Sequence, residues 1–296
     1  MLLNIKNLSK TYPNGVQALK NINLTIESGM FGLLGPNGSG KSTLMRTLAT
    51  LQNPDSGSVF LDDIDILNQK QDIRKVLGYL PQEFGVYPKV TSEQMLNHLA
   101  VLKGIMNRRE RKETVESLLN QVNLFNVRNK SLDGYSGGMK QRFGIAQALL
   151  GNPKLIIVDE PTAGLDPAER VRFNNLLSEI GENIIVILST HIVDDVSELC
   201  KDMAIINRGE VLVKGNPKII IEELKDQVWQ KIIKKEELEN YQQEFKIISS
   251  KLSSGDLSIH VLSVEKPDHT FTKVIPDLED VYFSHINALP KTISHV

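Results

Sequence analysis

The segment that decides the fold reads Gly35-Pro36-Asn37-Gly38-Ser39-Gly40-Lys41-Ser42-Thr43, and we call it the phosphate loop. It follows an apolar run typical of a strand, residues 30–34, and precedes an apolar pattern typical of a helix, residues 44–51. A glycine-rich turn between a strand and a helix lets consecutive backbone N–H groups converge on a phosphate, beside the partial positive charge of the helix N-terminus. In such a loop Lys41 reaches the β- and γ-phosphates and the Ser42 hydroxyl binds Mg²⁺. The pattern predicts a nucleoside triphosphate site and disfavours the alternative, a glycine turn with a surface lysine.

Length, charge and cysteine content limit the domain organisation, the partners and the compartment that this chain can have. The 296 residues include 34 Lys and Arg against 36 Asp and Glu, which gives a net charge of -2. A chain of this length accommodates one large domain and a small one. The near-neutral balance gives no electrostatic reason to expect nucleic acid as the main partner. Cys200 is the single cysteine, so an internal disulfide is excluded, and its apolar neighbours predict a buried thiol in a reducing compartment.

Neither a leader segment nor a membrane helix is evident in the sequence. The N-terminus lacks the basic-then-apolar pattern of a secretory signal. The longest apolar run, residues 184–188, is far shorter than the roughly 20 residues of a membrane-spanning helix. We therefore expect the chain itself to be soluble.

Tyr12 lies in a turn, residues 12–15, between two predicted strands at 2–8 and 21–27. In the second strand apolar and polar residues alternate, as they do in a half-exposed strand. The flat ring of Tyr12 is suited to stack on a nucleobase. A lone tyrosine more often packs structurally, so the aromatic alone does not decide between the two readings.

Gln82 follows a predicted strand, residues 76–80, and precedes a region whose sequence pattern is no longer that of a strand. From about 91 to 151 the apolar pattern acquires helical spacing. Thr91 and Gln94 have the spacing of a capping box at the start of this region. The sequence therefore predicts a helical insertion that interrupts an α/β domain.

Two later motifs open helices. Ser136-Gly137-Gly138 offers a hydroxyl, two unobstructed amides and a helix dipole, which together form a second anion-binding device. On its own the motif is weak, because Ser-Gly-Gly is ordinary loop chemistry. Asp166 precedes Pro167 and is well placed to cap the helix that follows.

Two buried parallel strands are predicted to deliver polar side chains to one sheet edge. Residues 155–158 are apolar and end in Asp159 and Glu160, where Asp159 is suited to hold Mg²⁺ and Glu160 to polarise an attacking water. Residues 184–188 form the second strand and lead to His191. A lone histidine is more often structural, but at this edge it is better read as a sensor of the γ-phosphate.

Taken together, these motifs resemble the ATPase subunit of an ABC transporter, in the family's own order, over about residues 1–218. The resemblance implies an adenine-stacking aromatic (Tyr12), a Walker A loop (Gly35 to Thr43), a Q-loop glutamine (Gln82), a signature motif (Ser136 to Met139), a Walker B aspartate and catalytic base (Asp159 and Glu160), a D-loop (Gly164 to Asp166) and a switch histidine (His191). The signature departs from the family's Leu-Ser-Gly-Gly-Gln at both ends, where Tyr135 and Met139 stand. The serine and both glycines, which would contact phosphate, are kept.

The resemblance also implies an α/β fold of the P-loop NTPase type, with an antiparallel β subdomain and a helical insertion at about 85–151. ATP and Mg²⁺ are the implied cofactors. The expected nucleotide-binding residues are Tyr12, Gly35, Asn37, Gly38, Ser39, Gly40, Lys41, Ser42, Thr43, Ser136, Gly137, Gly138 and Asp166. The expected metal-binding residues are Ser42, Gln82 and Asp159, and the expected catalytic residues are Glu160, His191, Lys41 and Gln82.

The partners follow from the same resemblance. Two such subunits pair head to tail, so that each signature motif caps the γ-phosphate held by the other subunit. Separate transmembrane permease subunits use the resulting opening and closing. We therefore expect a second ATPase subunit, identical or not, a permease, and a cytoplasmic location on the inner face of the cell membrane.

The end of the chain changes in character. Residues 203–214 have the pattern of a β-hairpin, which ends at Gly215-Asn216-Pro217. Residues 219–296 have the pattern of a small accessory α+β domain. Its predicted helical stretches are 222–226, 234–239 and one that begins at about 276, and its predicted strands are 228–233, 245–248 and 257–264. Residues 278–283 resemble the tail of bacterial drug, antibiotic and ion efflux ATPases, which favours an exporter, although a plain helix has a similar pattern. We expect a regulatory or dimer-supporting module.

Two alternatives within the same superfamily remain. A non-transport ABC protein acting on ribosomes usually carries two cassettes in one chain, and this chain has one. A chromosome or DNA-repair ATPase requires a long heptad coiled coil between the phosphate loop and the signature, and the sequence contains no such insertion.

Overall fold

A computed structural model describes residues 1–82, 85, 88–253 and 255–287. The chain divides into two compact units, residues 1–211 and 212–296. Residues 86 and 87 of the predicted helical insertion and residues 288–296 of the predicted accessory domain lie outside the described residues. A domain boundary near residue 218 stays a prediction.

The first unit is built on a mixed set of strands and helices. Its strands are β1 (Leu2–Thr11), β2 (Gln17–Glu27), β3 (Gly29–Leu34), β4 (Ser56–Leu61), β5 (Ile64–Asp65), β6 (Leu77–Leu80), β7 (Leu155–Asp159), β8 (Ile185–Thr190), β9 (Asp202–Asn207) and β10 (Glu210–Gly215), the last of which begins in this unit. Its helices are α1 (Lys41–Leu48), α2 (Lys70–Lys75), α3 (Ser92–Leu102), α4 (Arg108–Gln121), α5 (Gly137–Leu149), α6 (Pro167–Gly181) and α7 (Val193–Leu199).

The central sheet has the strand order β10-β9-β3-β8-β7-β6 among the described residues. The pairs β9/β3, β3/β8, β8/β7 and β7/β6 are parallel. Strands β7 and β8 are buried along their whole length, as their continuous apolar sequences predict. In the register of this sheet Leu33 and Asp159 both lie beside Ser189, so the carboxyl ends of β3, β7 and β8 meet at one edge.

A second, antiparallel sheet has the order β2-β1-β4-β5. It shares one hydrophobic core with the central sheet. Side chains of α1, including Leu44 and Met45, belong to that core together with Leu3 of β1 and Ile157 of β7. The predicted combination of an α/β sheet with an antiparallel β subdomain is confirmed.

The α-helices α3, α4 and α5 lie between β6 and β7 and belong to the predicted insertion. Thr91 caps α3 with the expected capping box, because its hydroxyl accepts from Gln94 N–H while the Gln94 side chain accepts from Thr91 N–H. Asn107 caps α4, and the charge-rich run after it forms the first turns of that helix. Across the part of the chain that the structure describes, no helix has the length and apolar character that a membrane crossing requires.

The second unit is α+β, as predicted. Its elements are α8 (Pro217–Glu222), β11 (Val228–Ile233), α9 (Leu238–Glu244), β12 (Ile247–Ser253), β13 (Asp256–Leu262), β14 (Thr272–Lys273) and α10 (Leu278–Ile286). The strand order is β12-β13-β11-β14 in the described residues. Aromatic and aliphatic side chains around Trp229 and Phe271 form its core.

Two details of the predicted tail are wrong. In place of the helix expected at 222–226, a helix lies at Pro217–Glu222; it begins there because Asn216 caps it and Pro217 occupies its first turn, where proline is favourable. The strand expected at 245–248 begins at Ile247, because α9 extends to Glu244 and the Phe245 ring packs on Phe271 with centroids 5.4 Å apart.

Candidate nucleotide site

A cleft of about 320 Å³ lies at the carboxyl edge of the central sheet. Its lining residues are Tyr12, Val16, Ala18, Pro36, Asn37, Gly38, Ser39, Gly40, Lys41, Ser42, Thr43, Gln82, Glu160 and His191. The structure thus brings the predicted phosphate loop, base-stacking aromatic, glutamine, base and histidine around one space. In open α/β sheets this edge is where ligands bind.

The glycines of the phosphate loop have two different roles. Gly38 and Gly40 have positive φ angles of 77° and 112°, which side-chain-bearing residues rarely adopt. A Cβ at Gly40 would lie 2.4 Å from the Ala18 carbonyl oxygen, and one at Gly35 would lie 2.3 Å from the Ile206 carbonyl oxygen. Gly35 does not line the cleft, so its role is to let the loop pass close to β9. No side chain caps α1, which leaves its first N–H groups for a ligand.

Lys41 is a buried cation that lies closer to backbone carbonyl oxygens than to any carboxylate among the described residues. Its Nζ donates to the carbonyl oxygens of Gly35 at 2.6 Å and Pro36 at 3.2 Å, and the nearest carboxylate oxygen, Glu160 Oε1, is 3.9 Å away. Burial lowers the pKa of Lys41, although the Glu160 and Asp159 carboxylates act in the opposite direction. A bound phosphate would give this ammonium a closer anionic partner than the Glu160 carboxylate.

Glu160 and His191 are in direct contact, which the sequence did not reveal. Glu160 Oε2 lies 2.6 Å from His191 Nδ1, and the Glu160 carboxylate is buried whereas the imidazole is 55% exposed. With Nδ1 donating to the carboxylate, Nε2 is left for a ligand. Glu160 has a φ of 48°, and its N–H donates to the Ser189 carbonyl at 2.8 Å. The base therefore sits on a strained backbone, as functional residues often do.

The donor set fits a magnesium ion bound together with phosphates. Asp159 Oδ1 is buried and has no hydrogen-bond partner within the described ranges, which is unfavourable unless a cation or another donor satisfies it. Within the described residues no group of three or more His, Cys, Asp or Glu side chains could hold a metal ion by itself. Mg²⁺ is typically held by one or two protein groups plus substrate phosphates, so Ser42, Gln82 and Asp159 suit it. Ser42 and Gln82 line the cleft, and Asp159 directly precedes Glu160.

Tyr12 is held beside the phosphate loop by its hydroxyl. The Tyr12 oxygen is 3.2 Å from Thr43 Oγ1 and donates to Gln52 Oε1 at 3.2 Å. Gln52 in turn donates to the Thr43 carbonyl at 2.8 Å. Nothing in the sequence pointed to Gln52, because a single amide after a helix is typical of loops.

The signature residues and Asp166 do not line this cleft in the described part of the chain. Ser136 caps α5 by accepting from Met139 N–H at 3.3 Å, and Asp166 caps α6 by accepting from Glu169 N–H at 2.9 Å, as predicted. A Cβ at Gly137 would meet no atom within 4 Å, whereas one at Gly138 would lie 2.4 Å from Glu169 Oε2. Packing against α6 therefore explains Gly138, and Gly137 is left as exposed backbone.

Tyr135 explains one departure of the signature. The ring is buried, and its hydroxyl donates to Ser92 Oγ at 2.9 Å and to the Val127 carbonyl at 3.1 Å. A leucine could not make these bonds. Tyr135 thereby ties the start of α5 to the start of α3.

Sequence reasoning missed a buried carboxylate, Asp195. It is fully buried, and it accepts hydrogen bonds from Thr162, Arg170 and Asn174. An acid in the first turn of a helix is typical of an exposed N-terminus, so its position on α7 gave no sign of burial.

Comparisons with known proteins agree with this geometry. The family model described as ABC transporter matches residues 19–163. YxlF of Bacillus subtilis (strain 168), an uncharacterized ABC transporter ATP-binding protein, is 36% identical over 253 residues, which cover 84% of this chain and 82% of YxlF. YbhF of Escherichia coli (strain K12), a probable multidrug ABC transporter ATP-binding protein, is 37% identical over 222 residues, which cover 74% of this chain and 38% of YbhF.

A solved structure is similar over the same region. The dimeric structure of a post-hydrolysis state of the ATP-binding cassette MJ0796, bound to ADP and Pi, matches with a TM-score of 0.66 and 30% sequence identity. The match covers 72% of this chain and 98% of that one. The likeness therefore extends over a whole ATP-binding cassette.

Proposed function

The chain belongs to the ABC transporter family of ATP-binding proteins and is an ATPase, and we propose that it is the motor subunit that drives a separate transmembrane permease. The observation that carries the proposal is the cleft in which Lys41 faces the contacting pair Glu160 and His191. A nucleotide handled at such a site is bound through its phosphates and hydrolysed by an activated water. The proposal gives each residue a role in that reaction.

Binding depends on the phosphate loop, and hydrolysis on Glu160. Lys41 and the free N–H groups of α1 hold the phosphates, while Tyr12 stacks on the adenine. Mg²⁺, held by Ser42, Gln82 and Asp159, would neutralise charge on the phosphates. Glu160 accepts a proton from the attacking water. His191 keeps the Glu160 carboxylate in place through the 2.6 Å contact and offers Nε2 to the γ-phosphate.

We propose that a second ATPase subunit completes this site. Ser136, Gly137 and Asp166 are exposed and outside the cleft of their own chain, which supports a role toward the nucleotide of a partner. The related cassette MJ0796 is dimeric with ADP and Pi bound. A nucleotide that binds between two such subunits stabilises the dimer by mass action, and hydrolysis of the nucleotide allows the dimer to dissociate.

The permease is proposed to be an exporter, which would place this chain at the inner face of the cell membrane. The similarity to YbhF, a probable multidrug ABC transporter ATP-binding protein, supports this direction, as does the likeness of residues 278–283 to efflux ATPases. The family also serves importers, such as one for phosphonates. Affinity purification from membranes, followed by transport measurements on the permease that copurifies, decides the direction. Recovery with ribosomes or DNA instead of a membrane protein would favour the non-transport alternative.

The catalytic assignment is tested by Glu160→Gln. We expect the variant to bind ATP as the wild type does and to lose turnover by roughly 10²–10⁴-fold, the usual contribution of a general base. The exposed Glu182→Gln, on the same unit, is the matched control and should hydrolyse normally. Near-normal hydrolysis by Glu160→Gln in the assembled transporter would contradict the proposed role.

A further inference from the structure

We infer that Asp195 is a positioning residue, which holds the loop after Glu160 in its reactive arrangement through the Thr162 hydroxyl. Asp195 is fully buried, and its Oδ2 accepts from Thr162 Oγ1 at 2.7 Å. Its Oδ1 accepts from Arg170 Nε at 2.8 Å and from Asn174 Nδ2 at 3.1 Å. The inference rests on the proposed function of Glu160.

The Asp195 carboxylate joins three segments that meet at the site. Thr162 lies two residues after Glu160, and Asp195 lies four residues after His191. Arg170 and Asn174 lie one turn apart on α6, which begins after Asp166. A movement of any one segment would therefore be transmitted to the other two.

The loop that follows Glu160 has few other fixed points. Glu160 itself adopts a left-handed φ of 48°, which persists only where the surroundings determine the backbone. Its N–H is held by the Ser189 carbonyl at 2.8 Å. The next backbone bonds are local turn contacts, from Ala163 N–H to the Glu160 carbonyl at 3.4 Å and from Leu165 N–H to the Thr162 carbonyl at 3.2 Å. The Thr162 hydroxyl is thus the anchor that ties this loop to a different element.

A contribution to folding stability does not by itself explain why the Asp195 carboxylate is buried. Removing a carboxylate from water is unfavourable, and even a well-paired ion pair often does no better than apolar packing of the same volume. The same three bonds do fix geometry, because they join the loop after Glu160 and helix α6 to one carboxylate on α7. A misplacement of about 1 Å of a catalytic group can lower a rate by about 100-fold. Placement of Glu160 is therefore the property that this network affects most.

The test compares Thr162→Val with Thr162→Ser in the full chain assembled with its partners. Valine has the shape of threonine without the hydroxyl, whereas serine keeps the hydroxyl. We expect Thr162→Val to lower kcat by about 10- to 100-fold, on the scale of a misplaced catalytic group, with KM for ATP and ATP affinity unchanged. The conservative Thr162→Ser should restore kcat. Arg170→Gln, which removes the charge partner of Asp195 and leaves Thr162 in place, should affect kcat less than Thr162→Val does.

Three results would overturn the inference. The first is a wild-type kcat in Thr162→Val, and the second is a loss of kcat in Thr162→Ser as large as in Thr162→Val. The third is a parallel loss of ATP affinity and folding in Thr162→Val, which a merely structural role predicts. Glu160→Gln is measured alongside. If Glu160→Gln is inactive and Thr162→Val is normal, the inference alone fails, and if Glu160→Gln is active, the proposed function fails.

Discussion

Two buried carboxylates, Asp159 in the first unit and Asp280 in the second, have opposite surroundings. Among the described residues, none forms a hydrogen bond with Asp159 Oδ1. Asp280 Oδ1 lies 2.7 Å from His260 Nδ1, and Asp280 Oδ2 accepts from Asp277 N–H at 3.2 Å. Asp280 is satisfied within its own unit, whereas the described residues leave Asp159 Oδ1 unsatisfied.

The same contrast extends to the two units as a whole. In the described part of the chain, the buried side-chain oxygens and nitrogens without a partner all belong to residues 1–211. Those on Ser39, Asp159 and Ser189 lie at the carboxyl edge of the central sheet, and the others lie on α5 and α6. Buried polar atoms are normally paired, so unpaired atoms gathered at one place are typical of a binding site. The sheet edge of the first unit therefore has the unpaired polar atoms that a binding site requires, whereas the buried polar side chains described in the second unit are paired.

Lys41→Ala is expected to have the largest effect on nucleotide binding by the first unit. We expect ATP affinity to fall by roughly 10- to 100-fold, because charged hydrogen bonds contribute about 1.5–3 kcal/mol and about 1.4 kcal/mol is a factor of ten. Lys103 offers a matched control, since burial lowers its pKa too, but its Nζ donates to the carbonyls of Arg74 and Leu77, both at 2.8 Å. Lys103→Ala should leave the affinity unchanged in a titration with ATP. Equal losses in both variants would mean that Lys41 acts through folding.

His260→Gln tests whether the acid of the second unit is purely structural. The hydrogen bond to Asp280 raises the pKa of His260, with Asp277 acting in the same direction and Lys251 against it. Because the folded pKa is raised, the stabilisation is complete below the ordinary histidine pKa of 6.5 and is lost as pH rises through the raised value.

The measurement for His260→Gln is thermal unfolding over a range of pH. We expect the variant to lose about 1.5–3 kcal/mol of unfolding free energy in mildly acidic solution, the contribution of a hydrogen bond to a charged group, and less in alkaline solution. ATP affinity should not change. A difference in stability that grows with pH would contradict the assigned sign.

Removal of the second unit is expected to have the smallest effect on the nucleotide. A chain that ends after residue 218 keeps the whole of β10 and loses the sheet, α9 and α10 of the second unit. Since the cleft residues all belong to the first unit, the fragment should fold and bind ATP with wild-type affinity. An insoluble fragment, or one that does not bind ATP, would refute the boundary.

The sequence was most informative where residue type and backbone geometry are tightly coupled. The phosphate loop, the caps at Thr91 and Asp166, and the apolar strands β7 and β8 lie where they were predicted. Each depends on local chemistry: glycine at positive φ, a side-chain oxygen before a helix, or a continuous apolar run.

Contacts between distant segments could not be predicted in this way. Glu160 and His191 were each assigned to the site, but their 2.6 Å contact arises from the register of β7 beside β8. The burial of Asp195 depends on the packing of α7 against α6, which leaves no periodic pattern in the sequence. Gly138 was read as a phosphate contact, and only the fold shows Glu169 beside it.

The completion of the site by a second subunit is the central claim, and Gly137→Asp tests it most directly. The substitution fits the monomer, since a Cβ at Gly137 meets no atom within 4 Å, and it adds a carboxylate where a partner's phosphate would dock. The measurement is the mass of the Glu160→Gln chain in solution with ATP, with and without Gly137→Asp, with monomer ATP affinity measured in parallel. We predict that Glu160→Gln forms an ATP-dependent dimer, and that Gly137→Asp abolishes this dimer while the monomer still binds ATP. Equal dimerisation of the double variant, or loss of ATP binding by its monomer, would contradict the claim.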